Sequence, residues 1–197
     1  AGIYASRRIL TEEGIEMTFA VNHLAPFLLT QRLLPALQRA ADARVLTTGS
    51  ASHYQVFLYP SRPETAPFFI GIQAYAISKL SNVLFSFEFN RRVTTTNPRA
   101  WVVDPGLVNT DIGLKDSGFL SSLVWRSRQK QGTSAEVPAR TVQKLALAPR
   151  QEIIDDLYWK DCQPKSPSRL SQNENLARYL WEKSCLLTGI KDYFGGD

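Results

Sequence analysis

The sequence predicts an α/β domain built on a parallel sheet flanked by helices. Two short apolar or β-branched runs, RVLTT at 44–48 and AWVVD at 100–104, each stop at a turn residue, as buried strands do. Longer segments with apolar residues near helical spacing alternate with them, which is the order of a parallel sheet with helical crossovers. No repeat, low-complexity tract or linker-like stretch interrupts the chain, so its 197 residues read as one domain, 1–197.

The elements follow in order. Thr11-Glu12-Glu13 resembles a capped helix start with acids in the first turn. Ile15, Phe19, Leu24, Phe27, Leu28, Leu33, Leu34 and Leu37 keep near-helical spacing, which predicts helix to about Ala40, bent near Pro26. The strand at 44–48 ends at Gly49, and 51–70 reads as a long loop rich in proline and aromatics. A second long helix is expected over 72–92, ended by Asn97-Pro98. The strand at 100–104 stops at Pro105-Gly106, and 107–131 reads as loop with a short apolar helix near 119–125. Helix is expected again over 134–147, where Pro138 falls in the tolerant first turn. An edge strand at 157–159 and a C-terminal helix over 171–187, closed by Gly189, complete the series. Three strands are few for a doubly wound domain.

Composition narrows the function classes. A 44% hydrophobic share supports a packed core, and a 21% charged share argues against disorder. No apolar run approaches the ~18 residues of a membrane helix. The formal charge is +5, but Arg7-Arg8, Arg91-Arg92, Arg126 and Arg128 are scattered rather than gathered in a stripe with aromatics. Nucleic-acid binding is therefore disfavoured, while an anionic dinucleotide or an anionic membrane surface suits the charge. Cys162 and Cys185 make no disulfide framework, and neither they nor His23 and His53 show metal-ligand spacing. The expectation is a reduced, metal-free, cytoplasmic protein.

Ser50 after the strand at 44–48, Pro105 and Gly106 after the strand at 100–104, and the Tyr75/Lys79 pair on the helix between them fall where sheets of this class place their ligands, outside the carboxyl ends of the strands. Tyr75 and Lys79 are four apart on the second helix, so they share a face one turn apart. A fixed ammonium favours the phenolate of a hydroxyl that otherwise ionises near pH 10, which suits the pair to proton transfer at an alcohol or carbonyl oxygen. The YxxxK pattern is short and alone says little. Ser50, just past a strand end, can aim its hydroxyl into the crevice or cap its own turn. Pro26 has no N–H for the carbonyl of Asn22, so the bend there is either a plain kink or a place for a relay water.

These stretches together resemble the short-chain dehydrogenase/reductase family, most closely its retinol dehydrogenase-like branch. The matching segments are NHLAPFLLT from Asn22, RVLTTGS ending at Ser50 with Ala51-Ser52-His53, YAISKLSN from Tyr75, DPGLVNT from Asp104, and LWEKSCLLTG from Leu180. The resemblance covers nearly the whole chain and keeps the family's order. It implies the C-terminal portion of a Rossmann-like fold and a catalytic tetrad at Asn22, Ser50, Tyr75 and Lys79. In that scheme Tyr75 is the acid/base, Ser50 positions the substrate oxygen, Lys79 lowers the tyrosine pKa and bonds the nicotinamide ribose, and Asn22 holds a relay water. It further implies that Pro105, Gly106, Val108 and Thr110 line the nicotinamide, that Ala1 and Gly2 pass the adenine-side ribose, and that the cofactor is NADP or NAD, NADP first. Gly49 and Ala25-Pro26 depart from the branch's usual serine and Gly-His. The family's glycine-rich fingerprint and its first βαβ units lie upstream of the motif to which Ala1-Gly2 correspond. The chain is therefore expected to be a fragment, or a truncated product, that binds cofactor poorly by itself.

Two loops flank the predicted site. One brings Tyr54, Phe57, Leu58, Tyr59, Phe68 and Phe69, and the other brings Leu114, Phe119, Leu120, Leu123, Val124 and Trp125. Apolar lids point to a small apolar alcohol or carbonyl such as a retinoid, steroid or lipid aldehyde, against the alternative that these residues pack on the scaffold. His53 reads as a loop residue, His23 as helix packing, Cys185 as a core residue, and Trp159, Tyr179 and Trp181 as packing or dimer-surface aromatics. The leading expectation is an oxidoreductase, with a homodimer and membrane association both left open. The other class is a non-catalytic interaction module that pairs through an unpaired edge of the strand at 44–48.

Overall fold

The computed structural model describes residues 2–65, 68–95, 97–108, 132–153 and 155–195. A short helix α1 (Met17–Phe19) leads through a π-helical turn (Ala20–Leu24) into α2 (Ala25–Arg39). Strand β1 (Arg44–Thr48), a 3-10 turn (Ala51–Gln55) and the long helix α3 (Gly71–Arg92) follow. Then come β2 (Arg99–Val103), α4 (Glu136–Leu147), β3 (Tyr158–Lys160), β4 (Gln163–Pro164), a 3-10 turn (Arg169–Gln172) and α5 (Glu174–Thr188).

The sheet order is β1-β2-β3-β4. The first two pairings are parallel, with Arg44 opposite Arg99 and Val102 opposite Tyr158, and the last is antiparallel. The segment expected as an edge strand is therefore covered by a two-residue hairpin partner. Asp161 and Cys162, both at positive φ, make that turn. A two-residue strand gives no periodicity to read, which is why the sequence suggests three strands and the described residues form four.

Alternation along β2 builds a three-layer core. Ala100 packs with Phe27, Phe85, Phe89 and Trp181, and Val102 with Val83 and Tyr158, on the side of α3. Trp101 and Val103 point the other way and pack with Leu145, Ile153 and Trp159 under α4. Successive side chains of a strand face opposite ways, so one five-residue run serves both layers. Helix α3 lies against β1, β2 and α5 and is buried from Ala74 to Phe89 on most of its faces. A helix buried nearly all round needs small residues where neighbours come close, and Ala74, Ala76, Ser78, Ser81 and Ser86 provide them.

The first helix begins later than Thr11 suggests. Residues 11–14 form a turn in which the Thr11 hydroxyl accepts from Ile15 N–H at 3.2 Å, and Gly14 takes φ +77°. Glu16 caps α1 instead, its carboxylate accepting from Thr18 and Phe19 N–H at 2.9 and 2.8 Å. Acidic residues near a helix start are common to a cap and to a preceding turn, so the pattern at 11–13 did not separate the two. The break at Pro26 is a π turn: Ala25 N–H reaches the carbonyl of Ala20, five residues back. Such single wide turns recur at functional sites. At the far end, Gly189 at φ +72° closes α5 as its sequence position implied.

Candidate active site

The residues singled out by sequence converge outside the carboxyl ends of β1 and β2. Ser50 follows Thr48 and Gly49 and caps the 3-10 turn, its hydroxyl accepting from Ser52 N–H at 3.2 Å and from the Ser52 hydroxyl at 2.9 Å. It also lowers the pKa of the Tyr75 hydroxyl, against the burial that raises it. The turn-capping reading of this serine is the one its hydrogen bonds show. Gly49 makes the approach fit. A β-carbon there would stand 2.8 Å from Val102 Cγ1, closer than packed atoms tolerate. The departure at Gly49 thus matches this chain's own β2.

Lys79 is 4% exposed, and its Nζ donates to the Thr48 carbonyl at 3.2 Å. Asn82 Nδ2 donates to the same oxygen at 3.3 Å. The ammonium lies 5.7 Å from the Tyr75 ring centroid. Burial pushes Lys79 down to about 8. Tyr75 differs from expectation. Burial pushes its hydroxyl above the usual phenol range, the Ser50 hydrogen bond opposes this, and the Asp104 charge adds to it. Desolvation is the largest of these three effects.

Asn22 sits in the π turn, 2% exposed. Its Oδ1 accepts from Ile3 N–H at 2.8 Å, and its Nδ2 donates to the Ile3 carbonyl at 2.9 Å and to Ser78 Oγ at 3.0 Å. This fastens the strand-like segment after Gly2 onto the helices. Pro105 and Gly106 follow β2, with Gly106 at φ +68° and its amide donating to Asp104 Oδ1 at 3.0 Å. Val108 bridges to Thr133 in parallel. Ala1, Thr110 and the second apolar loop, 112–125, lie outside the described residues.

The first apolar loop divides. Tyr59 belongs to the core, 9% exposed, with its hydroxyl 2.7 Å from Ser81 Oγ. Tyr54 stacks on His53 with ring centroids 4.0 Å apart and donates to the Ser166 carbonyl. Phe57, Leu58 and Phe68 are exposed. Tyr54, Val56, Phe57 and Leu170 help line a cleft of about 640 Å³ rimmed by Arg169, Gln172 and Asn173. Trp159 and Trp181 are core residues, and Tyr179 is tied to the Ser61 carbonyl.

Three groups next to the site escaped the sequence reading. Asn82, one turn after Lys79, was quoted only as part of a motif. Asp104 is 1% exposed and pairs with Lys165 at 3.2 Å. His53 is fully buried, with Nδ1 2.7 Å from the Ser50 carbonyl. Its signal was the i, i+3 spacing from Ser50, which eclipses two residues in a 3-10 turn. That signal is visible only once the turn type is known.

No family model matches the chain. Among curated proteins it is 34% identical to retinol dehydrogenase 12 of Mus musculus over 97% of its length, and 31% identical to retinol dehydrogenase 11 of Homo sapiens over 96%. A crystal structure of an uncharacterized protein from Mycobacterium paratuberculosis superposes with a TM-score of 0.64 at 26% identity, covering 96% of this chain and 65% of that one. The curated relatives are retinol dehydrogenases of the short-chain dehydrogenase/reductase family, to which the chain is similar over nearly its whole length. It spans about 60% of the length of the curated relatives it matches. Its four-stranded sheet with helices on both faces is the Rossmann-like α/β arrangement implied by that family.

The residues present fit the nicotinamide end of a dinucleotide. Lys79 is a buried cation whose recorded hydrogen bond uses one of three N–H groups, and the other two suit ribose hydroxyls. Gly106 at positive φ keeps the rim of the crevice bare of a side chain. The described residues carry no glycine-rich phosphate loop to test the other end.

Proposed function

We propose that this chain carries the proton-transfer portion of an NAD(P)-dependent oxidoreductase that interconverts an alcohol and a carbonyl. The observation that supports it most is the placing of Lys79 on the last carbonyl of β1, two residues before Ser50, with its ammonium 5.7 Å from the Tyr75 ring centroid. In this reading Tyr75 gives or takes the proton at the substrate oxygen. Ser50 donates a hydrogen bond to that oxygen and steadies the charge that develops on it. Lys79 holds the nicotinamide ribose and offsets the phenolate. Asn22 uses its side chain on Ile3 and Ser78, leaving its backbone carbonyl, which Pro26 cannot serve, as the place for a relay water. The nicotinamide, when bound, accepts or delivers the hydride; NADP is the first choice and NAD the second.

The names of the relatives and the apolar walls of the loop cleft favour a small apolar alcohol or carbonyl, a retinoid, steroid or lipid aldehyde. The test is Tyr75→Phe in the full-length protein. Turnover should fall by about 10²- to 10⁴-fold while dinucleotide affinity stays within about twofold. Undiminished turnover would overturn the reading. A second reading is favoured by β1, which has a strand on one side only among the described residues. Such an edge can recruit another chain, and the product would then be an interaction module. A soluble monomer in size-exclusion chromatography counts against it.

A further inference from the structure

His53 takes no part in the proton transfer proposed above, yet every polar atom of its ring is engaged. Nδ1 lies 2.7 Å from the Ser50 carbonyl, and Nε2 receives the backbone N–H of Ser168 at 3.1 Å. A carbonyl can only accept and an amide N–H can only donate. The two bonds therefore admit a single neutral tautomer, protonated at Nδ1 and bare at Nε2. Tyr54 and Tyr158 hold the ring from the sides, with centroids at 4.0 and 5.1 Å, and the Tyr158 hydroxyl lies 3.4 Å from Nδ1. The charges that face it are Asp104 and Lys165, which act in opposite directions, while burial holds the imidazole below its ordinary pKa. The ring thus spans from the turn after β1 to the 3-10 turn before α5.

We infer that His53 is a positioning residue: its Nδ1–H clamps the Ser50 carbonyl and thereby fixes the turn that aims the Ser50 hydroxyl at Tyr75. The inference rests on the reading of Ser50 and Tyr75 under the proposed function. A histidine that merely fills the core would not require this tautomer. Nor would its loss be felt at Tyr75 through Ser50.

The test uses two amide substitutions that separate the two ring nitrogens. His53→Asn places a donor near the Nδ1 position and loses the Nε2 acceptor, and His53→Gln does the reverse. In the full-length protein, His53→Gln should lower kcat by about 10- to 100-fold with dinucleotide affinity unchanged, and His53→Asn should retain most activity. Equal loss in both variants, or none in His53→Gln, overturns the inference. Two readouts are independent of turnover. Nitrogen-15 NMR of the chain should show protonated Nδ1 and bare Nε2, and the opposite tautomer overturns the inference. Carbon-13 titration of Tyr75 should show His53→Gln raising its pKa as Ser50→Ala does, with no further rise in the double variant. Additive shifts overturn it. An inactive wild-type protein would sink the proposed oxidoreductase while these two readouts still decide the role of His53.

Discussion

The side chain of Asn22 and the backbone of Ile3 close a two-way hydrogen-bonded ring, with bonds of 2.8 and 2.9 Å running in opposite directions. A primary amide is the one side chain of this size that both accepts from an N–H and donates to a carbonyl in a single plane. Asn22→Ala should therefore cost about 1–3 kcal/mol in urea unfolding, the usual penalty for leaving buried polar groups unpaired. Asn22→Asp keeps the acceptor but turns a carboxylate oxygen toward the Ile3 carbonyl. Its deficit should shrink as pH falls and the acid protonates.

If Lys79 holds the nicotinamide ribose as proposed, dinucleotide affinity should depend on pH. With burial holding it at about 8, it carries its charge below that pH and loses it above. Calorimetry on the full-length protein should show affinity falling as pH rises through about 8. Lys79→Arg, which stays charged throughout, should flatten the profile. A flat wild-type profile would contradict the role given to Lys79.

His23 governs acid stability. It is 1% exposed, rests against Ser184 at 2.8 Å, and burial pushes it down to about 3 from 6.5. Between those values the unfolded chain binds the proton and the folded chain does not, so stability falls as pH drops from about 6.5 toward 3. The loss between pH 7 and 5 should be about 2 kcal/mol. His23→Gln should reduce that slope when urea midpoints are compared at the two pH values.

Gly49 is excluded from carrying a side chain by β2. Gly49→Ser places a β-carbon 2.8 Å from Val102 Cγ1, and overpacking of this kind costs about 1–3 kcal/mol. Val102→Ala removes the obstructing atom, so the double variant should recover part of what Gly49→Ser loses. Strict additivity in thermal unfolding would show the clash lies elsewhere.

The aromatic loop should split by burial. Phe57→Ser and Leu58→Ser, at residues 92% and 85% exposed, should leave stability within about 0.5 kcal/mol. Tyr59→Phe removes a buried hydroxyl from Ser81 and should cost about 1 kcal/mol. Denaturant unfolding of the three variants checks the ranking.

The strands, α3 and α5 were legible because their signals are local: β-branched runs stopped at Gly49 and Pro105, helical spacing through 72–92, and a terminal Gly189. The candidate tetrad could be named from sequence because YxxxK and the residues past β1 sit at fixed places in a recognisable order. Tyr59 was misread because a core tyrosine and a pocket tyrosine look alike until the partner of the hydroxyl, here Ser81, is known. For Tyr75, sequence shows the lysine one turn away but not the burial that raises the pKa of its hydroxyl. His53, Asp104 and Lys165 stand 51 to 112 residues apart along the chain, a relation that no spacing encodes.

The Thr48 carbonyl has one more effect. It satisfies the geometry of Lys79 with a dipole where a carboxylate would have cancelled the charge. Asp104 is matched by Lys165, which leaves the charge of Lys79 to act outward. If the proposed dinucleotide site is right, polyphosphate anions approaching from solution should be drawn toward it before any contact forms. Their capture should quicken at low ionic strength and slow as added salt shortens the range of that attraction.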